Sequence, residues 1–217
     1  MLSKYDNIIF DLDGTLINSS EEVLHCFKKA FKTSNCKIDK SELTSDIIGP
    51  PIKQIIQNIT HNSIADNKIE EIIKNFRQIY DYDENDISVM YSGILDLLTY
   101  LKKQNKKLFI ATFKPEKPTM RVVKMFNIES LFDGIYTIDK FNKTITKSEI
   151  LKNIIKEHNL ITDQTVMIGD TLSDMIAAKE NNITGIGVLW GYGPNKTTLK
   201  ENSTYMVNEV KDFYVKN

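Results

Sequence analysis

Two periodicities alternate along the chain. Short apolar runs bounded by turn residues fall at Asn7–Asp11, Leu108–Thr112, Gly134–Ile138, Thr165–Gly169 and Gly185–Trp190. Each predicts a buried strand. Between the later runs the apolar positions recur at helical spacing. Ile94, Leu97, Leu98 and Leu101 form one such stripe, with Ser92 as the expected N-cap. Pro115, Pro118 and the run Val122–Phe126 fit a helix that starts at a proline. Ile150, Leu151, Ile154 and Ile155 mark a third. Strands alternating with helices predict an α/β fold, a Rossmann-like doubly wound parallel sheet covered on both faces.

Residues 17–88 break that rhythm. Ser19 and Glu22 form a capping-box pattern ahead of Val23, Leu24, Phe27, Ala30 and Phe31. Ile52, Ile55, Ile56 and Ile59 make a stripe after Gly49-Pro50-Pro51, and Ile69, Ile72, Ile73, Phe76, Ile79 and Tyr80 make another. The segment reads as an all-helical insert, and residues 1–16 with 89–217 as the core that carries it. An insert placed after the first strand belongs at the carboxyl ends of the strands, where open α/β sheets bind ligands. It is a natural cap.

Composition narrows the choice of partner. The 217 residues are 41% hydrophobic and 26% charged, with a formal net charge of −1. That suits one large domain carrying a smaller one. No basic excess argues for nucleic acid, and no polybasic cluster argues for a membrane surface. No apolar run approaches the roughly 20 residues of a membrane span. The apolar run at Asn7–Phe10 is too short for a secretory signal and ends in acid, so a cytoplasmic protein is expected. Cys26 lies in a helical stripe and Cys36 just beyond its end. Ten helical residues span about 15 Å, which argues against a disulfide unless a turn shortens the gap. No Cys/His spacing suggests zinc.

The acids are placed as chemistry requires. The first strand runs into Asp11-Leu12-Asp13-Gly14-Thr15. Positions two apart point the same way, so Asp11 and Asp13 can meet at the strand's end, where Gly14 permits a sharp turn. Two close carboxylates are costly unless a cation binds or one carries a proton, and phosphoryl transfer uses both devices. Asp11 is the expected nucleophile. Asp13 is the expected general acid and then base. The fourth strand exits into Gly169-Asp170-Thr171-Leu172-Ser173-Asp174. Asp11, the Asp13 carbonyl and Asp170 suit Mg²⁺, with Asp174 behind them one helical turn later. The negative charge calls for a lysine, and Lys147 opens the helix before the fourth strand. Thr112 ends the second strand, where its hydroxyl can reach a phosphate oxygen, beside the helix N-terminus near Pro115. Thr15 is expected either to brace the first loop or to contact substrate. Lys53 reads as a solvated helix residue or one projecting from the cap toward substrate, Trp190 and Tyr192 as packing at the sheet's end or touching substrate, and His25, His61 and His158 as lacking metal-ligand company.

In these segments the chain resembles the haloacid dehalogenase superfamily of phosphohydrolases, in the group with a helical cap. Asp11 to Thr15 are similar to its first motif, Thr112 to its second, Lys147 to its third, and Gly169-Asp170 through Asp174 to its fourth. Ala111-Thr112-Phe113-Lys114-Pro115 and Gly187-Val188-Leu189-Trp190-Gly191-Tyr192-Gly193 resemble the phosphoglycolate phosphatase-like members most. The resemblance implies an aspartyl-phosphate mechanism, one Mg²⁺ and a small phosphorylated metabolite or nucleotide as substrate. Thr112, Phe113 and Lys147 are the expected substrate-binding residues. Asn18 and Phe113 depart from it, at positions where many relatives carry an acid and a small polar residue. Three other readings share the acids: a sugar phosphomutase, a phospho-aspartate receiver module and a dehalogenase. Relatives that are mutases usually lack an acid at the Asp174 position, and receivers lack the Asp13 equivalent and the cap. Whether the chain is a monomer or a homodimer is not written in it.

Overall fold

The computed structural model describes residues 1–48, 52–82, 87–141, 145–193 and 196–214. Gly49, Pro50 and Pro51 of the expected turn lie outside them. In chain order the strands are β1 (Asn7–Phe10), β2 (Ile17–Asn18), β3 (Val89–Met90), β4 (Lys107–Ala111), β5 (Gly134–Tyr136), β6 (Thr165–Gly169), β7 (Thr184–Val188) and β8 (Tyr205–Val207). The α-helices are α1 (Ser20–Thr33), α2 (Ile52–Ile59), α3 (Asp66–Tyr82), α4 (Ile94–Lys103), α5 (Glu116–Met125), α6 (Lys147–Glu157), α7 (Leu172–Glu180) and α8 (Lys196–Asn202).

Among the described residues a parallel sheet takes the order β5-β4-β1-β6-β7-β8. Counting only its own strands along the chain, this is 3-2-1-4-5-6, the doubly wound order whose direction reverses beside the first strand. The reversal opens a crevice between the ends of β1 and β6. Strand periodicity explains why both faces are covered. Ile8, Phe10, Leu108, Ile110, Val166 and Ile168 share one apolar cluster with α4 and α5. Their alternates Ile9, Phe109, Ala111 and Met167 share another with α6 and α7. Each strand therefore reads as a continuous apolar run.

Several local expectations are corrected. The first and second core strands stop at Phe10 and Ala111, which leaves Asp11 and Thr112 just past their ends. Their amides still donate to the neighbouring strands, Asp11 N–H to the Ile168 carbonyl and Thr112 N–H to that of Tyr136, both at 2.9 Å. Strand β8 and the two-residue antiparallel ribbon β2–β3 were not expected. Gly93, not Ser92, is the N-cap of α4, in a left-handed conformation (φ 81°) closed to most other residues. Ser19 caps α1 without a side-chain capping bond. The carboxylate of Glu22 instead accepts from the Ser88 hydroxyl at 2.5 Å.

The chain forms two compact units, Met1–Asn18 with Val89–Asn217, and Ser19–Ser88. The second is helical and has its own core, in which Phe27, Ile56, Ile72 and Phe76 are buried. The Phe27 and Phe76 ring centroids are 4.4 Å apart. There Lys53 pairs with Asp66 at 3.5 Å, both well exposed. Cys26 and Cys36 form no disulfide. No helix among the described residues is long and apolar enough to cross a membrane.

Candidate active site

The switch point of the sheet gathers the acids. Asp11 leaves β1, Asp170 follows β6, and Asp174 lies in the first turn of α7. All three are buried, and one oxygen from each lies within 4.8 Å of the others. Lys147, the first residue of α6, brings its ammonium into this group. Its Nζ donates to Asp11 Oδ1 at 2.6 Å and to the Ala111 carbonyl at 2.9 Å. It also pairs with Asp174 Oδ1 at 3.0 Å. Two hydrogen bonds and one ion pair thus surround a single ammonium. A capping box holds the start of α6, with Thr146 N–H donating to the Glu149 carboxylate and Glu149 N–H to the Thr146 hydroxyl.

Asp170 is held from three directions. Its Oδ1 accepts from the Thr15 hydroxyl at 3.3 Å. Its Oδ2 accepts from Tyr192 N–H at 2.8 Å and from Gly193 N–H at 3.3 Å. A Cβ on Gly14 or Gly191 would collide with this carboxylate, and Gly14 adopts φ 82°. The other oxygen of Asp174 turns back to the Thr171 amide (3.1 Å) and hydroxyl (2.6 Å). Trp190 Nε1 donates to the Thr15 carbonyl at 3.0 Å, and Tyr192 Oη donates to Asn18 Oδ1 at 3.1 Å. The two aromatic residues therefore tie down the first loop.

The charges are unbalanced. Burial pushes the Asp11 carboxyl well above the usual range, Lys147 opposes the shift, and Asp174 and Asp170 add to it. Burial raises Asp170 to about 7, with the Asp174 charge adding and the backbone amides of Tyr192, Asp170 itself and Gly193 opposing. For Lys147, burial favours loss of the proton, but Asp11 and Asp174 outweigh it and hold the ammonium above its ordinary value. Three buried carboxylates against one lysine are a set that a divalent cation would stabilise. Hard oxygen donors of this kind suit Mg²⁺ or a similar ion.

Asp13 goes elsewhere. Its carboxylate is a quarter exposed and meets the buried Lys114, whose Nζ lies 3.1 Å from Asp13 Oδ1. The Lys114 amide donates to the Thr112 hydroxyl at 3.0 Å. The ring of Phe113 is partly exposed, and the Lys147 ammonium lies 5.1 Å from its centroid. Sequence reasoning put Asp174 behind the metal ligands, whereas its carboxylate belongs to the same converging group as Asp11 and Asp170. It gave Lys114 no role. The signal was a lysine two residues past Thr112, ahead of a proline.

The profile of the haloacid dehalogenase-like hydrolases matches residues 8–188. The chain belongs to that family, and it is an enzyme of the hydrolase class. Among curated relatives it is 28% identical over 201 residues to a tyrosine-protein kinase, PtkA, of Mycobacterium tuberculosis, covering 93% of this chain and 68% of that one. It is 27% identical over 192 residues to a 5′-nucleotidase of Pseudomonas aeruginosa, covering 88% and 85%. A haloacid dehalogenase-like hydrolase from Streptococcus pneumoniae superposes with a TM-score of 0.84 at 26% identity, covering 98% of this chain and 100% of that one.

Proposed function

We propose that this hydrolase is a Mg²⁺-dependent phosphatase of small phosphomonoesters, acting through an aspartyl-phosphate on Asp11. One observation carries the reading: the buried Lys147 ammonium bridges Asp11 and Asp174 inside a three-carboxylate group. A phosphate dianion needs positive charge that a purely acidic cluster would not supply.

Asp11, the Asp13 carbonyl and Asp170 would hold the ion, with Asp174 supporting them, and the ion would offset charge on the phosphate oxygens. Asp11 attacks phosphorus in line as the bond to the leaving oxygen breaks. Asp13 gives its proton to that oxygen. Water then attacks the phosphorus, its proton passes to Asp13, and the bond to Asp11 breaks. Lys147 favours the ionised form of Asp11, against its burial, and would face the phosphate oxygens. The Thr112 hydroxyl accepts the Lys114 amide, so its own proton can be donated to phosphate. Phe113 offers substrate an apolar edge. We assign the helical unit the part of a cap that excludes bulk water. The chain enters it directly after the Asp11–Asn18 loop. A cytoplasmic setting completes the reading.

The likeness to a kinase favours a second reading, in which phosphate passes from Asp11 to an organic acceptor, as it also would in a sugar phosphomutase. Release of inorganic phosphate separates the two. Hydrolysis of p-nitrophenyl phosphate is expected with Mg²⁺ and lost in EDTA. Asp11→Asn should abolish it, and Asp13→Asn should slow it by roughly 10² to 10⁴. Undiminished turnover by the Asp11 variant would end the proposal.

A further inference from the structure

Among the described residues, Lys114 is the one buried cation near the site that the mechanism above does not use. Its side chain is 1% exposed, whereas that of its partner Asp13 is 25% exposed. The pair is lopsided, with the cation enclosed and the acid reaching open space. The fold fixes the lysine at its base. Its amide is tied to the Thr112 hydroxyl, and its carbonyl accepts from the Thr119 hydroxyl at 3.5 Å on the first turns of α5. A buried ion pair is a poor device for stability, since apolar residues of similar volume commonly do as well. Its presence beside the expected acid–base group calls for another reason.

We propose that Lys114 is a positioning residue for Asp13. This rests on the phosphatase reading. The ammonium holds one carboxylate oxygen and so fixes the direction in which the carboxyl presents its proton. In the first step the O–H bond of Asp13 breaks as a new one forms on the leaving oxygen. In the second, Asp13 takes the proton of the attacking water. Without Lys114 the carboxyl rotates, and both transfers lose their geometry while the Asp11–Lys147 attack machinery stays in place.

Lys114→Met and Lys114→Arg test this with two substrates. An alkyl phosphate such as glycerol 3-phosphate needs its leaving oxygen protonated, whereas p-nitrophenolate leaves unaided. For Lys114→Met, kcat on the alkyl ester should fall by roughly 10², with KM changed little. Nitrophenol should instead appear as a burst, because Asp11 is phosphorylated readily and dephosphorylated slowly. Lys114→Arg should recover part of the loss. In an Asp13→Asn background Lys114→Met should cost nothing further, since it acts only through Asp13. Equal losses on both substrates without a burst, or full additivity with Asp13→Asn, would overturn the proposal. Should Lys114→Met fail to fold, the arginine variant reads the same substrate ratio. Absence of phosphate release by the unaltered protein would instead sink the phosphatase reading.

Discussion

At the scale of single residues, the site is defined by groups in unfavourable surroundings. Asp170 is buried against Asp174, and its carboxyl is raised to about 7 from 3.8. Such a group binds its proton more tightly in the folded chain than in the unfolded one. Its contribution therefore weakens the fold as pH rises from about 4 to about 7, the reverse of a salt-bridged acid. Metal binding needs the ionised carboxylate, so it competes with the proton. We expect Mg²⁺ to raise Tm more at pH 8 than at pH 6. Differential scanning fluorimetry at a fixed Mg²⁺ concentration checks this, and a Mg²⁺ shift independent of pH would contradict it. The same surroundings explain why Lys147 is tightly bound, with two carboxylates and a carbonyl as partners.

At the scale of elements, the turns after the strands do the placing. Strand β1 ends at Phe10, and the chain reverses through Gly14 in a conformation that side chains rarely adopt. Gly14→Ala meets two obstacles, a left-handed backbone cost of about 1–2 kcal/mol and a methyl group driven against Asp170. The expected outcome is a lowered Tm together with weaker apparent Mg²⁺ binding, measured by titration followed calorimetrically. A variant that lost stability but kept its Mg²⁺ affinity would show that the turn does not shape the acid group. Much of this level was legible in sequence. The D-x-D-G-T run after an apolar stretch and the proline start of α5 both announce themselves. Less legible were β8 and the β2–β3 ribbon, because two or three residues are too few to display a period. The α4 cap was misread for a different reason: Ser92 has the better capping chemistry, yet the left-handed backbone at the next position admits glycine far more readily.

At the scale of the whole molecule, the chain keeps two separate cores. The helical unit packs Phe76 against Phe27 and Tyr80, with ring centroids 4.4 and 5.3 Å apart. Phe76→Ala should destabilise that unit by about 3–5 kcal/mol through the cavity left behind. Hydrogen exchange should then show lost protection in Ser19–Ser88, while the strands β1, β4 and β6 keep theirs. Equal loss in both units would mean that they unfold as one. The doubly wound order also belongs to this scale. It sets β1 between β4 and β6 and so brings residues from four distant segments to one crevice.

The sequence alone determined the class of fold, the nature of the acids and the lysine, and the break in periodicity that sets the helical segment apart. Those properties are local, because hydrophobic period and turn chemistry act over a few residues. Which carboxylates converge was decided only by the tertiary structure. Asp174 joined Asp11 and Asp170 through strand pairing and the first turn of α7, while Asp13 turned to Lys114, about a hundred residues away in sequence. No pattern of neighbouring residues encodes a distance across the sheet, since that distance is set by which strands pair and where each one ends.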